Sequence, residues 1–184
     1  MMLRFQFSGV LKNQNYKIIA NIPYNITGAI LKKFLTAEHQ PERMVLMVQH
    51  EVGKRIVARD AKESILSISV KAYGEPKLVM KVPARYFSPA PNVDSAVITI
   101  NNISKKAFIP NTKPVKSSAL NILDSEGLEE RFWKIVKMGF AHKRKKLSGN
   151  LKSLNFEHEE TYISIKDKRA EDLPLEMWIS LAKI

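Results

Sequence analysis

The stretch Lys17-Ile18-Ile19-Ala20-Asn21-Ile22-Pro23-Tyr24-Asn25-Ile26-Thr27-Gly28-Ala29-Ile30-Leu31-Lys32-Lys33-Phe34-Leu35 decides the fold. Lys17 to Ala20 is a short run rich in β-branched residues, as a strand requires. It stops at Asn21-Ile22-Pro23-Tyr24, because proline has no backbone donor to continue a ladder. Thr27 is placed to cap the next segment, in which Ile30, Leu31, Phe34 and Leu35 share one helical face and Lys32 and Lys33 lie off it. The order is strand, loop, helix.

The same alternation continues downstream. Met44 to Val48 is an apolar run of the kind buried on both faces of a sheet, and Glu51 to Arg59 has a helical pattern with a Glu51/Arg55 pair. Ile65 to Tyr73 reads as a further helix, Leu78 to Val82 and Ala96 to Ile100 as strands, with Pro83, Pro89 and Pro91 marking an irregular connection. Alternating strands and helices predict an α/β domain over residues 1–103, with a largely parallel sheet whose last strand pair closes as an antiparallel edge. Beyond it Lys105-Lys106 and Pro110 through Pro114 read as a linker. Leu128, Phe132, Ile135, Val136 and Phe140 then mark an amphipathic helix capped by Asp124 or Ser125, and Leu173 to Ile184 a final helix. Residues 104–184 are thus expected to form a small all-α domain.

With 30 Lys and Arg against 18 Asp and Glu, the net charge of +12 favours a polyanionic partner, with nucleic acid foremost. The absence of cysteine excludes disulfides and thiolate chemistry. The first residues, Met1 to Phe7, are too short and interrupted for a secretory core, and no apolar run reaches membrane-spanning length. A soluble, cytoplasmic protein without a membrane partner is expected. His39, His50, His142 and His158 are scattered, so no metal site is expected.

Three segments could carry chemistry. In α/β sheets the loop at the carboxyl end of a strand is where function collects, and Asn21-Ile22-Pro23-Tyr24 occupies such a loop. The Asn21 side-chain carbonyl and the Pro23 backbone carbonyl suit the two hydrogens of an exocyclic amine, and Tyr24 offers a face on which a base can stack. The competing reading is a plain turn with a core tyrosine. In Tyr86-Phe87-Ser88-Pro89-Ala90-Pro91-Asn92-Val93-Asp94-Ser95-Ala96-Val97, spaced prolines stiffen the loop that presents Phe87. Phe87 is either a second wall of a base pocket or a hydrophobic plug, whereas Asp94 and Ser95 read as turn and cap groups. Finally, Lys143-Arg144-Lys145-Lys146 brings four consecutive cations into a stretch, Gly139 to Phe156, without an acidic residue, which suits phosphate contacts or a solvated face. Lys54, Arg55 and Arg59 form a weaker cluster.

In this order the segments resemble the ribosomal RNA small-subunit adenine-N6,N6-dimethyltransferase family. Asn21 to Thr27 looks like its catalytic loop, Val48-Gln49-His50-Glu51-Val52 with Arg55-Ile56-Val57 its next helix, and Phe87 to Val97 is the most specific match. Phe140 to Leu151 resembles its basic helix, and Arg169-Ala170-Glu171-Asp172-Leu173 a signature near its carboxyl end.

The resemblance implies the carboxyl-terminal part of a Rossmann-like class I methyltransferase domain followed by a helical domain, acting as a monomer with S-adenosyl-L-methionine on adenosines of small-subunit ribosomal RNA or a ribosomal subunit precursor. It implies that Asn21 and Pro23 orient the amine, Tyr24 and Phe87 sandwich the adenine, and Lys143, Arg144, Lys145 and Lys146 contact RNA. The family's Gly-rich cofactor loop and its acidic ribose ligand have no counterpart here, so Asn21 alone touches the edge of the cofactor site. An amino-terminal truncation is expected, with loss of normal cofactor binding and an open sheet edge that lowers stability. Alternatives are a non-catalytic ribosome-assembly factor, a large-subunit methylase of the antibiotic-resistance type, and a DNA adenine methylase.

Overall fold

The computed structural model describes residues 15–58, 60–109, 127–154 and 160–184. The expected linker at 110–114, the caps Asp124 and Ser125, Met1 to Phe7, Arg59 and His158 lie outside the described residues. The chain forms two compact units, one of Met1–Gly53 with Tyr73–Ser104 and the other of Lys54–Ala72 with Lys105–Ile184. The sequence division at 103/104 leaves out this earlier stretch of the second unit.

The first unit is built on a four-stranded sheet, β1 (Lys17–Asn21), β2 (Arg43–Gln49), β3 (Glu75–Val82) and β4 (Ser95–Asn101), in the order β1-β2-β4-β3. β1 and β2 are parallel, joined by α1 (Thr27–Leu35). The expectation of a largely parallel sheet is corrected here, because β4 lies antiparallel to β2 as well as to β3. The chain returns from β3 through its proline-rich loop and inserts β4 beside β2, so among the described strands only one pairing is parallel.

Register explains the choice. Met44 faces Ile100, Leu46 faces Ile98 and Val48 faces Ala96, and all six side chains are fully buried. Slipping the pairing by one residue would turn this set to the opposite face, so the apolar pattern fixes the register. Val45 and Met47 are only half-buried, so β2 is not sealed on both faces as its apolar run suggested. α2 (His50–Val57) packs on this core at Gly53, where a Cβ would come within 3.2 Å of Leu78 Cδ1 and 3.3 Å of Ala96 Cβ. Glu51 and Arg55 form no ion pair among the described residues.

The second unit contains α3 (Ile65–Lys71), α4 (Leu128–Gly139), α5 (Leu147–Asn150), α6 (Glu160–Ile165) and α7 (Leu175–Lys183). Ser64 caps α3 through a reciprocal hydrogen-bond pair with Ser67. The stretch before α3 is held within this unit by Glu63 N–H donating to the Glu171 carbonyl at 2.8 Å and by Lys62 pairing with Asp172. Phe132 and Trp178 are fully buried, with Trp178 stacked on Phe140 at a centroid distance of 5.4 Å and Phe108 edge-on to Phe132 at 5.2 Å. α4 starts at Gly127 without a side-chain cap. No helix among the described residues is long and apolar enough to cross a membrane.

Candidate active site

Strand directions bring four segments of the first unit to one end of the sheet. β1 and β2 end there at Asn21 and Gln49, β3 ends there at Val82, and antiparallel β4 starts there at Ser95, opposite both Gln49 and Val82. Asn21-Ile22-Pro23-Tyr24 therefore leaves the sheet at the same end where the Phe87 loop returns to it.

In the first of these loops Ile22 is buried and serves as the anchor, while Asn21 and Pro23 are exposed and Tyr24 is half-buried. The Asn21 side chain has no hydrogen-bond partner among the described residues and is free to receive one. The Pro23 carbonyl accepts Ile26 N–H at 3.2 Å, and a carbonyl has a second lone pair for another donor. Thr27 does not cap α1 with its hydroxyl. It is already helical, and its hydroxyl donates back to the Tyr24 carbonyl at 3.2 Å, bracing the turn.

Asp94 and Ser95 tie the end of the sheet together. Ser95, fully buried, shares a 2.6 Å hydrogen bond with the Tyr24 hydroxyl across 71 residues of sequence. The Asp94 carbonyl accepts His50 N–H at 2.9 Å, joining the start of α2. Its carboxylate accepts Ala84 N–H at 2.9 Å and meets Lys81 Nζ at 2.7 Å, pinning the turn that leads to Phe87. The turn role read for Asp94 agrees with these bonds. Ser95 is expected to serve the same turn, yet its hydroxyl reaches a different loop, a contact that no local pattern announces.

Phe87 is half-buried in extended backbone just after the 3-10 turn Ala84–Tyr86, with its N–H bonded to the Ala84 carbonyl at 3.1 Å. Neighbouring Tyr86 is 68% exposed, with the Arg85 guanidinium 5.3 Å from its ring, so of the two aromatics Phe87 is the less exposed.

The Lys81 hydrogen bond, followed by the Ala84 N–H, holds the Asp94 carboxyl below the ordinary carboxylate range. A group whose folded pKa is depressed stabilises the fold above its unfolded value of about 3.9, and that contribution is lost as pH falls through the folded pKa. The expected NMR titration of Asp94 has a midpoint below the ordinary value, moving back toward it in Lys81→Ala.

Removing either hydroxyl of the Tyr24–Ser95 pair, by Tyr24→Phe or Ser95→Ala, is expected to cost about 1 kcal/mol in urea unfolding. The double variant should cost less than the two single losses together, because they remove the same bond.

In the second unit Lys143, Arg144, Lys145 and Lys146 are all exposed. They lie on a turn between α4 and α5 rather than on the expected basic helix. Asn150 holds that turn, donating its side-chain amide to the Gly139 carbonyl at 2.6 Å and the His142 carbonyl at 3.2 Å. Lys143, Arg144 and Lys145 form no ion pair among the described residues, whereas Lys146 meets Asp167 at 3.0 Å.

The described residues do not form a cradle for the cofactor that the resemblance implies. Such a cradle needs glycines open to close backbone approach. Gly53, Gly74 and Gly139 instead abut Leu78, the Asn101 carbonyl and Trp178, while Gly28, Gly127 and Gly149, which are open, lie far apart in the sequence or on separate elements. No cluster of three metal-ligating side chains occurs among the described residues.

The model of the ribosomal RNA adenine dimethylase family matches residues 2–184. The chain belongs to the ribosomal RNA adenine dimethylase family. It is similar to the ribosomal RNA small subunit methyltransferase A of Dehalococcoides mccartyi, 37% identical over 92% of this chain and 55% of that protein. The same-named protein of Fusobacterium nucleatum is 36% identical over 94% of this chain and 62% of its own length. The chain thus spans little more than half of these family members. Among solved structures it resembles a dimethyladenosine transferase from Plasmodium falciparum (TM-score 0.71, 20% identity, 96% of this chain and 68% of that one). It also resembles the 23S rRNA methyltransferase ErmE (TM-score 0.66, 19% identity, 96% and 67%). At those identities the likeness is one of fold, and it places the mixed sheet and helices of this dimethylase-family chain in a Rossmann-like methyltransferase fold.

Proposed function

We propose that this chain supplies the target-base half of an enzyme that dimethylates the N6 amine of adenosines in small-subunit ribosomal RNA, with S-adenosylmethionine as methyl donor. Its partner in this reading is the ribosomal subunit precursor, and it works as a cytoplasmic monomer. Family membership supports the reaction class. The observation that carries the site is the Tyr24–Ser95 bond, which ties the Asn21-to-Tyr24 loop to the strand entered from the Phe87 loop at one end of the sheet.

In this reading the free Asn21 side-chain carbonyl and the second lone pair of the Pro23 carbonyl accept the two amine hydrogens. That directs the nitrogen lone pair outward. Tyr24 and Phe87 then hold the extracted base between two aromatic faces, and stacking worth on the order of 1–3 kcal/mol per base offsets an unstacking cost of about a few kcal/mol. Positioning supplies the rate; as the N6–C bond forms the donor's S–C bond would break, its sulfur leaving as the thioether, and the proton released from nitrogen would pass to water. Lys143, Arg144, Lys145 and Lys146 hold the RNA backbone, Lys146 after leaving Asp167.

The test supplies this chain with the amino-terminal segment of the Dehalococcoides mccartyi relative and follows labelled methyl groups into RNA. Label is expected in small-subunit precursors. Label in large-subunit RNA or duplex DNA instead would reassign the substrate. RNA binding without transfer, by a protein that binds the methyl donor, would make the chain an assembly factor.

A further inference from the structure

Beyond the run at 143–146, the second unit carries another set of cations, Lys166-Asp167-Lys168-Arg169, in the turn after α6, exposed throughout. Backbone pairing joins the two sets. Leu147 N–H donates to the Lys168 carbonyl and Ser148 N–H to the Lys166 carbonyl, each at 2.9 Å, and Lys146 bridges Arg169 in antiparallel fashion. Because main-chain atoms make these contacts, the side chains are left to the solvent. Lys166 and Lys168 form no ion pair among the described residues, so a strip of cations is assembled with little internal neutralisation.

Asp167 is the exception inside the strip. It meets Lys146 Nζ at 3.0 Å, and Lys146 first, then Lys166, keeps its carboxyl below the ordinary carboxylate range. The strip ends at Arg169, whose N–H donates to Asp172 Oδ2 at 3.2 Å, where the carboxylates of Glu171 and Asp172 begin.

We propose that Lys166 and Lys168 join Lys143, Arg144 and Lys145 in one RNA phosphate-binding strip, in which Asp167 occupies Lys146 until a backbone phosphate displaces it. This rests on the RNA-binding function proposed for the chain. Each lysine that neutralises a phosphate releases counterions, so its loss lowers both affinity and the dependence of affinity on salt.

The test measures binding of the full chain to a small-subunit ribosomal RNA hairpin over a salt series. Lys166→Ala/Lys168→Ala should weaken binding roughly fivefold per lysine near 0.15 M salt and flatten the log–log slope by about 0.7–0.9 per lysine. Asp167→Asn should strengthen binding by freeing Lys146. Both changes spare the backbone pairing, and unchanged melting curves would verify this. If the double variant binds with unaltered affinity and slope while Lys143→Ala/Arg144→Ala/Lys145→Ala loses both, this inference is wrong and the RNA reading stands. If the parent chain binds no RNA, both fall.

Discussion

Asn21→Ala should lower the turnover of methyl transfer on the order of 10²-fold, the scale expected when a reacting group loses its alignment. The assay uses this chain joined to the amino-terminal segment of a full-length relative. Asn21 is exposed and its side chain holds no partner among the described residues, so folding should be untouched and the melting temperature unchanged. KM for RNA should move little, because aromatic stacking and phosphate contacts remain. A loss confined to kcat marks an interaction made mainly as the methyl group moves. Equal losses in affinity and turnover would make Asn21 a binding residue, and no loss would remove it from the site.

Gly139→Ala should destabilise the second unit by about 2 kcal/mol. A Cβ there would lie 2.4 Å from Trp178 Cη2 and 2.8 Å from Cζ3, with Leu147 Cδ2 at 3.2 Å. Trp178 has no room to retreat, being fully buried and stacked on Phe140. Two effects oppose each other. Alanine gains up to about 1 kcal/mol over glycine inside a helix, whereas overpacking a tight core costs about 1–3 kcal/mol, and at this separation the clash wins. Tryptophan fluorescence during urea unfolding reads the difference. Gly149→Ala is the contrasting variant, because its nearest contact is the Lys145 side chain at 4.0 Å, and it should be neutral or stabilising. A rise in stability for Gly139→Ala would mean that Trp178 does not pack against this glycine.

Much of the fold is legible because local periodicity and burial coincide. The run at Met44 to Val48 became β2, and the face formed by Leu31 and Leu35 became the buried side of α1. Sheet order is not legible, since the insertion of β4 between β2 and β3 depends on pairings such as Met44 with Ile100, far apart in sequence. The same limit applies at the candidate site. Asn21, Pro23, Tyr24 and Phe87 stand out by residue type and by their proline-stiffened loops, but Ser95 gains its meaning only from the hydroxyl of Tyr24. Likewise the basic run at 143–146 is plain in the sequence, whereas its neighbours at 166 and 168 are brought in by backbone bonds that leave no pattern. That run is a turn and not the expected helix, because α4 ends at Gly139, where Asn150 takes up the terminal carbonyl.

The most direct test of the adenine pocket is photocrosslinking of the chain to a small-subunit ribosomal RNA hairpin carrying 8-azidoadenosine at its loop adenosines, with the modified residue identified by mass spectrometry. A pocket walled by the two aromatic rings predicts adducts at Tyr24 and Phe87, suppressed when unlabelled hairpin competes. Adducts confined to other parts of the chain, with Tyr24 and Phe87 unmodified, would contradict it.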